Sequence, residues 1–182
     1  MTESERAFAV AYLEQSRDRV LAFAASLAPE QRDFCPSDSG WSAAGLLEHI
    51  IVVERLTHDI LHRMINEGVP DESRRGKGAH KDRIILENIP TRATRVQAPE
   101  PLHPSGRWGD FEQLVREFEI TRHRTLEIAR STNKDLRVYF APHPFLKDLD
   151  GYQWLLIVGA HAERHVRQGE EMLAAARAAH TA

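Results

Sequence analysis

Four long segments of the chain carry apolar residues at helical spacing, and this periodicity constrains the fold more than any other feature. They cover about residues 5–28, 42–67, 110–131 and 150–179. Apolar side chains that recur every three or four residues give each helix one apolar stripe, which must pack against other helices. We find no convincing strand alternation. The sequence therefore predicts an all-α fold, a four-helix bundle that forms one domain over residues 1–182.

Capping and helix-breaking residues mark the ends of these segments. Pro29 is expected to stop the first helix, and Ser42 is a good N-cap for the second. Gly68 follows the second helix, as is common at a C-terminus. Asp150 with Gln153 three residues later has the spacing of a capping box at the start of the fourth helix.

A long polar segment separates the second and third predicted helices. It runs from about residue 70 to 104 and contains several prolines. Ordered loops of this length are unusual and often functional, for example as lids. A short helix or strand is expected within it from Arg83 to Glu87. A second linker, residues 133–149, precedes the fourth helix.

Composition excludes several classes of protein. The net charge of −3 argues against a broadly basic nucleic-acid-binding face. The single cysteine, Cys35, rules out a disulfide within the chain and fits a reducing compartment. The acidic N-terminus is unlike a signal peptide, and no apolar run is long enough to span a bilayer. We therefore expect a cytoplasmic protein with neither nucleic acid nor membrane as partner.

Histidines occupy positions in the helix stripes where leucines belong. His161 and His165 lie in the stripe of the fourth helix. His49 lies in that of the second helix, which reads Leu46, His49, Val53, Leu56, Ile60 and Met64. Residues four apart share one helix face, so His161 and His165 can chelate one ion. A third imidazole from a neighbouring helix completes a three-nitrogen site with an open position. The alternative is that each histidine is a hydrogen-bonded core residue.

The remaining histidines and carboxylates do not fit known metal motifs. His58 and His62 are predicted on the surface, on the face opposite His49. Glu163 is two residues after His161 and points away, so it is not the general base of a metalloprotease motif. None of the stripe histidines His49, His161 and His165 has Glu three residues before it, which argues against a di-iron carboxylate bundle. Four further histidines show no metal-ligand spacing: His80, His103, His123 and His180.

Four polar residues are candidates for the surroundings of the ion. Gln168 can hydrogen-bond a ligand or the substrate, or make an ordinary interhelical bond. For Arg164 we favour a structural ion pair with the second helix over contact with a substrate anion. Thr121 and Thr125 lie in the stripe of the third helix and are weaker candidates for lining a pocket. Their presence suggests a polar feature opposite them.

The motifs of the chain resemble those of the DinB-like superfamily, in the DinB_2 branch. The resemblance rests on these pairs and runs: Trp41-Ser42, Glu48-His49, His143-Pro144, Trp154, and residues 161–168 with the sequence HAERHVRQ. It implies a four-helix bundle, often dimeric, whose three histidines bind nickel or zinc. Relatives in that superfamily include S-transferases and isomerases that use low-molecular-weight thiols.

The sequence thus predicts a mononuclear site at His49, His161 and His165 that activates a water or a thiol. The corresponding enzyme is a metal-dependent S-transferase or hydrolase, and a homodimer is expected from the resemblance. The alternative is a non-catalytic bundle in which the histidines hold a structural ion or a hydrogen-bond network. A structural zinc site normally has a fourth protein ligand, and the stripes show no obvious carboxylate or thiol to supply one.

Overall fold

The computed structural model describes residues 1–35, 40–91 and 97–180, with side chains up to residue 176. Its helices are α1 (Glu3–Ala25), α2 (Pro29–Arg32), α3 (Ala43–Asn66), α4 (His80–Asn88), α5 (Phe111–Ser131) and α6 (Gly151–His180). Two strands, β1 (Phe140–His143) and β2 (Lys147–Asp150), lie between α5 and α6. The four long helices α1, α3, α5 and α6 form the predicted bundle. In the described part of the chain, no helix is both long and apolar enough to cross a membrane.

The order of the four helices around the bundle differs from their order in the chain. Helix α6 packs against α1 and α3, and α5 packs against the same two helices. Helices α1 and α3 therefore lie on one diagonal of the bundle, and α5 and α6 on the other. A simple up-and-down bundle would instead place sequence neighbours side by side. This arrangement makes α3 and α6, which carry the three histidines, direct neighbours.

The predicted caps are present. Ser42 Oγ accepts a hydrogen bond from the backbone N–H of Gly45 at 3.1 Å. Asp150 and Gln153 form a reciprocal box, with the Gln153 N–H donating to Asp150 Oδ1 at 2.8 Å and the Asp150 N–H to Gln153 Oε1 at 3.1 Å. These bonds satisfy backbone groups that a helix start leaves without partners. The ends of α3 and α6 that precede the histidines are thereby fixed.

The structure contains two short strands that the sequence did not predict. Strands β1 and β2 form an antiparallel hairpin in the linker before α6, with Phe140 opposite Asp150 and His143 opposite Lys147. Each strand has only four residues, and Pro142 interrupts the first. Such a short segment offers too little alternation to be recognised from sequence. The short element expected from Arg83 to Glu87 exists as part of helix α4.

Helix α6 approaches α1 closely at two glycines. A Cβ at Gly159 would lie 2.6 Å from the Tyr12 ring, and one at Gly169 would lie 2.2 Å from Phe23. Both distances are below any ordinary carbon–carbon contact, so the two aromatic rings occupy the space that a side chain would need. The bare glycine backbone lets α1 and α6 pack at this separation.

A layer of polar side chains divides the core into two apolar clusters. Arg122 of α5 has no exposed surface and forms a double hydrogen bond with Glu54 of α3, at 2.8 and 2.9 Å. Its third nitrogen donates to the Leu13 carbonyl at 2.9 Å and to Ser16 Oγ at 2.6 Å, both on α1. One buried guanidinium thus joins three helices. Thr125 extends the layer by donating to Glu54 at 2.5 Å.

The predicted stripe of α3 was wrong at Leu56, whereas Met64 at its end is buried as predicted. Leu56, expected inside, is 42% exposed, and Glu54, Thr57 and His58 are buried in its place. His58, expected on the surface, donates from Nε2 to Thr125 Oγ1 at 2.7 Å. The spacing of the aliphatic residues is misleading in this part of α3, because several of its buried positions carry polar side chains. His62 is exposed, as predicted.

The polar layer predicts a large difference between two Arg→Met substitutions. Arg122→Met leaves the Glu54 carboxylate buried without its cation, so we expect the free energy of unfolding to fall by about 3–5 kcal/mol. Arg55→Met removes a half-exposed partner of Glu117 and should cost less than about 1 kcal/mol. Urea denaturation measures both. Equal losses would contradict the role given to Arg122.

Candidate metal centre

The three predicted histidines come together between α3 and α6. His49, His161 and His165 each offer one ring nitrogen, and these nitrogens all lie within 4.8 Å of one another. The ring centroids are 4.4 to 4.9 Å apart. Within the described ranges this is the only cluster of three or more potential metal-binding side chains that meet this spacing. The four-residue interval on α6 and the adjacency of α3 produce the cluster.

Hydrogen bonds outside the cluster define which ring nitrogens face inward. His49 Nδ1 lies 2.8 Å from the Leu102 carbonyl, which can only accept, so the proton is on Nδ1 and Nε2 keeps its lone pair. His165 Nδ1 lies 3.0 Å from Gln168 Oε1, and this bond assigns the same tautomer. The His165 and His161 Nε2 atoms face each other at 3.1 Å. Two of the three rings are therefore held with an unprotonated Nε2 toward the cluster.

The donor set fits a divalent transition-metal ion. Tetrahedral zinc with Zn–N bonds of about 2.0–2.1 Å separates neighbouring nitrogens by about 3.3 Å, close to the distance between the two Nε2 atoms of α6. Imidazole nitrogen suits zinc and nickel, as well as copper and iron. Burial lowers the pKa of His49. Burial also lowers the pKa of His161 well below its ordinary value, with a further contribution from the nearby His165. Neutral imidazole is the form that binds metal.

An aromatic wall closes one side of the cluster. The Trp41 ring lies 4.6 Å from the His49 ring and 6.4 Å from the His165 ring. His103, which showed no metal-ligand spacing in the sequence, packs edge-on against Trp41, with the ring centroids 5.6 Å apart. Its Nε2 donates to the Ala98 carbonyl at 2.8 Å, so this histidine supports the wall and is not part of the cluster.

A short segment after the predicted loop lies along α3, and we call Leu102–Arg107 the strap. Glu48, next to His49, is 4% exposed and accepts hydrogen bonds from the backbone N–H groups of Ser105 and Gly106, each at 2.8 Å. Arg107 Nε donates to the same carboxylate at 3.0 Å. Burial opposes the charge on Glu48, but these bonds outweigh it and the net effect lowers its pKa.

One surface groove is lined by residues of α3 and the strap and does not include the histidines. It has a volume of about 520 Å³. Its lining residues are Val52, Arg55, Leu56, Asp59, Leu102, Arg107 and Trp108. Leu102 is thus shared between the groove and the carbonyl contact with His49. The chemistry of the three imidazoles makes their cluster the better candidate for the functional site.

Two of the candidate neighbours of the ion lie on α6. Gln168 contacts His165, so it holds a ring of the cluster in place. Arg164 Nη1 donates to the Ile89 carbonyl at 3.0 Å, where α4 ends. This bond ties α6 to the segment between α3 and α5, and the structural ion pair of Arg164 with α3 stays a prediction.

The two threonines hydrogen-bond to residues of α3. Thr121 Oγ1 accepts from Arg55 Nε at 3.1 Å, and the Thr125 hydroxyl belongs to the polar layer with Glu54 and His58. Both contacts join α5 to α3, whereas the cluster lies between α3 and α6. Thr125 is therefore part of the buried polar feature that the threonines suggested, and a role of either threonine in lining a pocket stays a prediction.

Sequence reasoning missed His143 as a neighbour of the cluster. Its ring packs 5.3 Å from Trp154, and its Nδ1 accepts from the backbone N–H groups of Phe145 and Leu146, each at 3.2 Å. Its charge would act on His161 electrostatically. Burial lowers the pKa of His143 to about 4. The sequence signal for His143 is the pair His143-Pro144, which is one of the motifs that carry the family resemblance.

The buried state of His143 predicts a pH dependence in the metal-free protein. With a folded pKa of about 4 and an unfolded pKa of about 6.5, the unfolded chain binds more protons between these values. The free energy of unfolding should therefore fall as the pH is lowered from about 6.5 to 4. His143→Asn keeps an acceptor for the two N–H groups and should make this slope shallower. Denaturation at several pH values measures it, and an unchanged slope contradicts the prediction.

The chain was compared with known proteins. The model of the DinB superfamily matches residues 12–168. The uncharacterized protein YuaE of Bacillus subtilis (strain 168) is 23% identical over 146 residues, which cover 80% of this chain and 85% of that protein.

Two solved structures share the fold. YfiT from Bacillus subtilis, described as a probable metal-dependent hydrolase with an unusual four-helix bundle topology, superposes with a TM-score of 0.63 at 13% identity, covering 94% of this chain and 87% of YfiT. TT2238, a four-helix bundle protein, gives a TM-score of 0.52 at 19% identity, covering 90% and 96%. The family match spans most of the chain and includes all three clustered histidines. The chain belongs to the DinB superfamily.

Proposed function

We propose that this protein is a metal-dependent enzyme whose mononuclear site is formed by His49, His161 and His165. The observation that carries the proposal is the convergence of three imidazoles whose ligand nitrogens lie within 4.8 Å of one another. The description of YfiT as a probable metal-dependent hydrolase supports the same reaction class. We favour zinc or nickel, because the family resemblance implies these ions and an all-imidazole donor set suits both.

The donor set favours an open site over a closed structural one. In the part of the chain that the structure describes, no carboxylate or thiol joins the three histidines. The nearest acidic neighbour in sequence, Glu48, is engaged by the strap. Catalytic zinc sites have three protein ligands and one position for water or substrate, whereas structural sites are normally closed by a fourth.

A divalent ion in this site would lower the pKa of a water or a low-molecular-weight thiol, which yields a nucleophile at neutral pH. The residues of the chain hold the geometry. Leu102 and Gln168 orient His49 and His165, and Trp41 covers the two rings and excludes water from that side. The reaction we propose is hydrolysis or thiol S-transfer on a small electrophilic substrate. A non-catalytic metal-binding bundle is the alternative.

Metal binding gives the first test. Protein purified without a histidine tag should carry about one divalent ion per chain, as measured by elemental analysis. His161→Ala should weaken binding by more than the ~100-fold that changes around a metal ligand produce. His62→Ala, on the exposed face of α3, is the matched control and should bind normally. Added ion at about 100 times its Kd should stabilise the wild type by about 2.7 kcal/mol. Absence of both binding and stabilisation would refute the proposal.

Activity assays separate the enzyme from the non-catalytic alternative. The loaded protein is tested on a panel of esters and amides, and on electrophiles with several low-molecular-weight thiols. We expect turnover that chelation removes and that His161→Ala abolishes. Stoichiometric metal with no turnover across the panel would favour the structural role. The homodimer and the cytoplasmic location stay predictions, and sedimentation of the purified protein tests the first.

A further inference from the structure

Two adjacent residues of α3, Glu48 and His49, hydrogen-bond to the backbone of the strap. His49 donates from Nδ1 to the carbonyl of Leu102 at the start of the strap. Glu48 accepts from the backbone N–H groups of Ser105 and Gly106 near its end. A Cβ on Gly45, one turn earlier on α3, would lie 3.3 Å from Pro104, so the strap rests directly on the helix. The strap is thus fixed at one end by a clustered histidine and at the other by a carboxylate.

The contact with Leu102 decides which nitrogen of His49 is available to an ion. A carbonyl oxygen cannot donate, so this bond requires the proton on Nδ1 and leaves the Nε2 lone pair for the cluster. If the strap moved away, water would take the place of the carbonyl and could donate as well as accept. The tautomer and the ring orientation of His49 would then no longer be fixed.

Both carboxylate oxygens of Glu48 accept hydrogen bonds from the strap. Oε1 receives the Ser105 N–H and Arg107 Nε, and Oε2 receives the Gly106 N–H. The side chain is nearly fully buried. An amide of the same shape would present an NH₂ group to one of these donors. Glu48 does not belong to the group of side chains close enough to share an ion. The hydrogen bonds from the strap explain why a carboxylate is buried beside His49.

We propose that Glu48 is a positioning residue for the metal centre, acting through the strap on the tautomer and orientation of His49. The inference rests on the proposed function and deepens it. Metal binding and closure of the strap are then coupled. An ion on Nε2 strengthens the Nδ1–H bond to Leu102, and a closed strap raises the affinity for the ion. Such coupling is reciprocal by thermodynamic necessity.

The first experiment compares Glu48→Gln with Glu117→Gln. Glu117 is a half-buried carboxylate of α5 paired with Arg55 and makes no contact with the strap in the described structure. We expect Glu48→Gln to weaken zinc binding about 10–100-fold, measured by competition with a chelator, and Glu117→Gln to leave it unchanged. In metal-free protein, ¹⁵N NMR should show His49 protonated at Nδ1, and Glu48→Gln should shift protonation toward Nε2.

Amide hydrogen exchange measures the same coupling as an effect of zinc on the strap. In the wild type, zinc should slow exchange of the Ser105 and Gly106 amides, and in Glu48→Gln this protection should be lost. A structural role without coupling to the ion would leave zinc with no effect on these amides.

A second variant strains the strap without changing α3. Gly106 has φ +72° with open space around its Cα, so Gly106→Val acts on the backbone conformation alone. It should also weaken zinc binding. Gly76 has φ +74° and equally open surroundings in another loop, so Gly76→Val is the control.

The outcomes separate the two proposals. Wild-type affinity in both Glu48→Gln and Gly106→Val would overturn the role of Glu48 while leaving the metal centre intact. If the wild type binds no ion, the proposed function fails and this inference fails with it. If Glu48→Gln does not fold, Gly106→Val decides the question.

Discussion

The buried pair of Arg122 and Glu54 is the interaction on which the rest of the structure depends. It lies at the junction of α1, α3 and α5, where it separates an apolar cluster around Leu155 from one around Ile51. A guanidinium has a fixed fork of donors, so sliding any one of these helices by a turn would leave a buried charge or carbonyl without its partner. Aliphatic contacts alone tolerate such shifts far better. The close packing of α1 on the glycines of α6 also fixes the position of α6 along α1. His49 is thereby brought to the height of the two histidines on α6.

The side chains of the candidate metal centre are oriented mainly by residues outside the cluster of three histidines. Its three rings contact one another, but their orientations come from a backbone carbonyl, the amide of Gln168 and the face of Trp41. Outer contacts of this kind tune both the affinity and the geometry of protein metal sites. They also explain why a segment far from the histidines in sequence bears on them. The strap reaches His49 through one carbonyl and the neighbouring Glu48 through two N–H groups.

The caps, the four long helices and the histidine pair of α6 could be predicted from the sequence, because they depend on local chemistry. Ser42 and Asp150 satisfy helix ends whatever the tertiary fold, and residues four apart share a face in any helix. The stripe of α3 was wrong at Leu56 because this leucine resembles a core residue while Glu54 and His58 do not. Only the guanidinium of Arg122, from another helix, makes burial of that carboxylate favourable. The Leu102 carbonyl could not have been foreseen, since every residue has one and its role depends entirely on where the loop lies.

The diagonal placement of α1 and α3 has a consequence for how the chain acquires its site. His49 and His161 lie more than a hundred residues apart, and their helices meet only after α5 and the hairpin have been synthesised. Contacts of such high sequence separation form slowly, because the entropy of closing the intervening loop is lost before the contact contributes. The cluster of three imidazoles therefore exists only once α3 and α6 have docked. Binding of an ion by all three histidines would report that these two helices have reached their native contact.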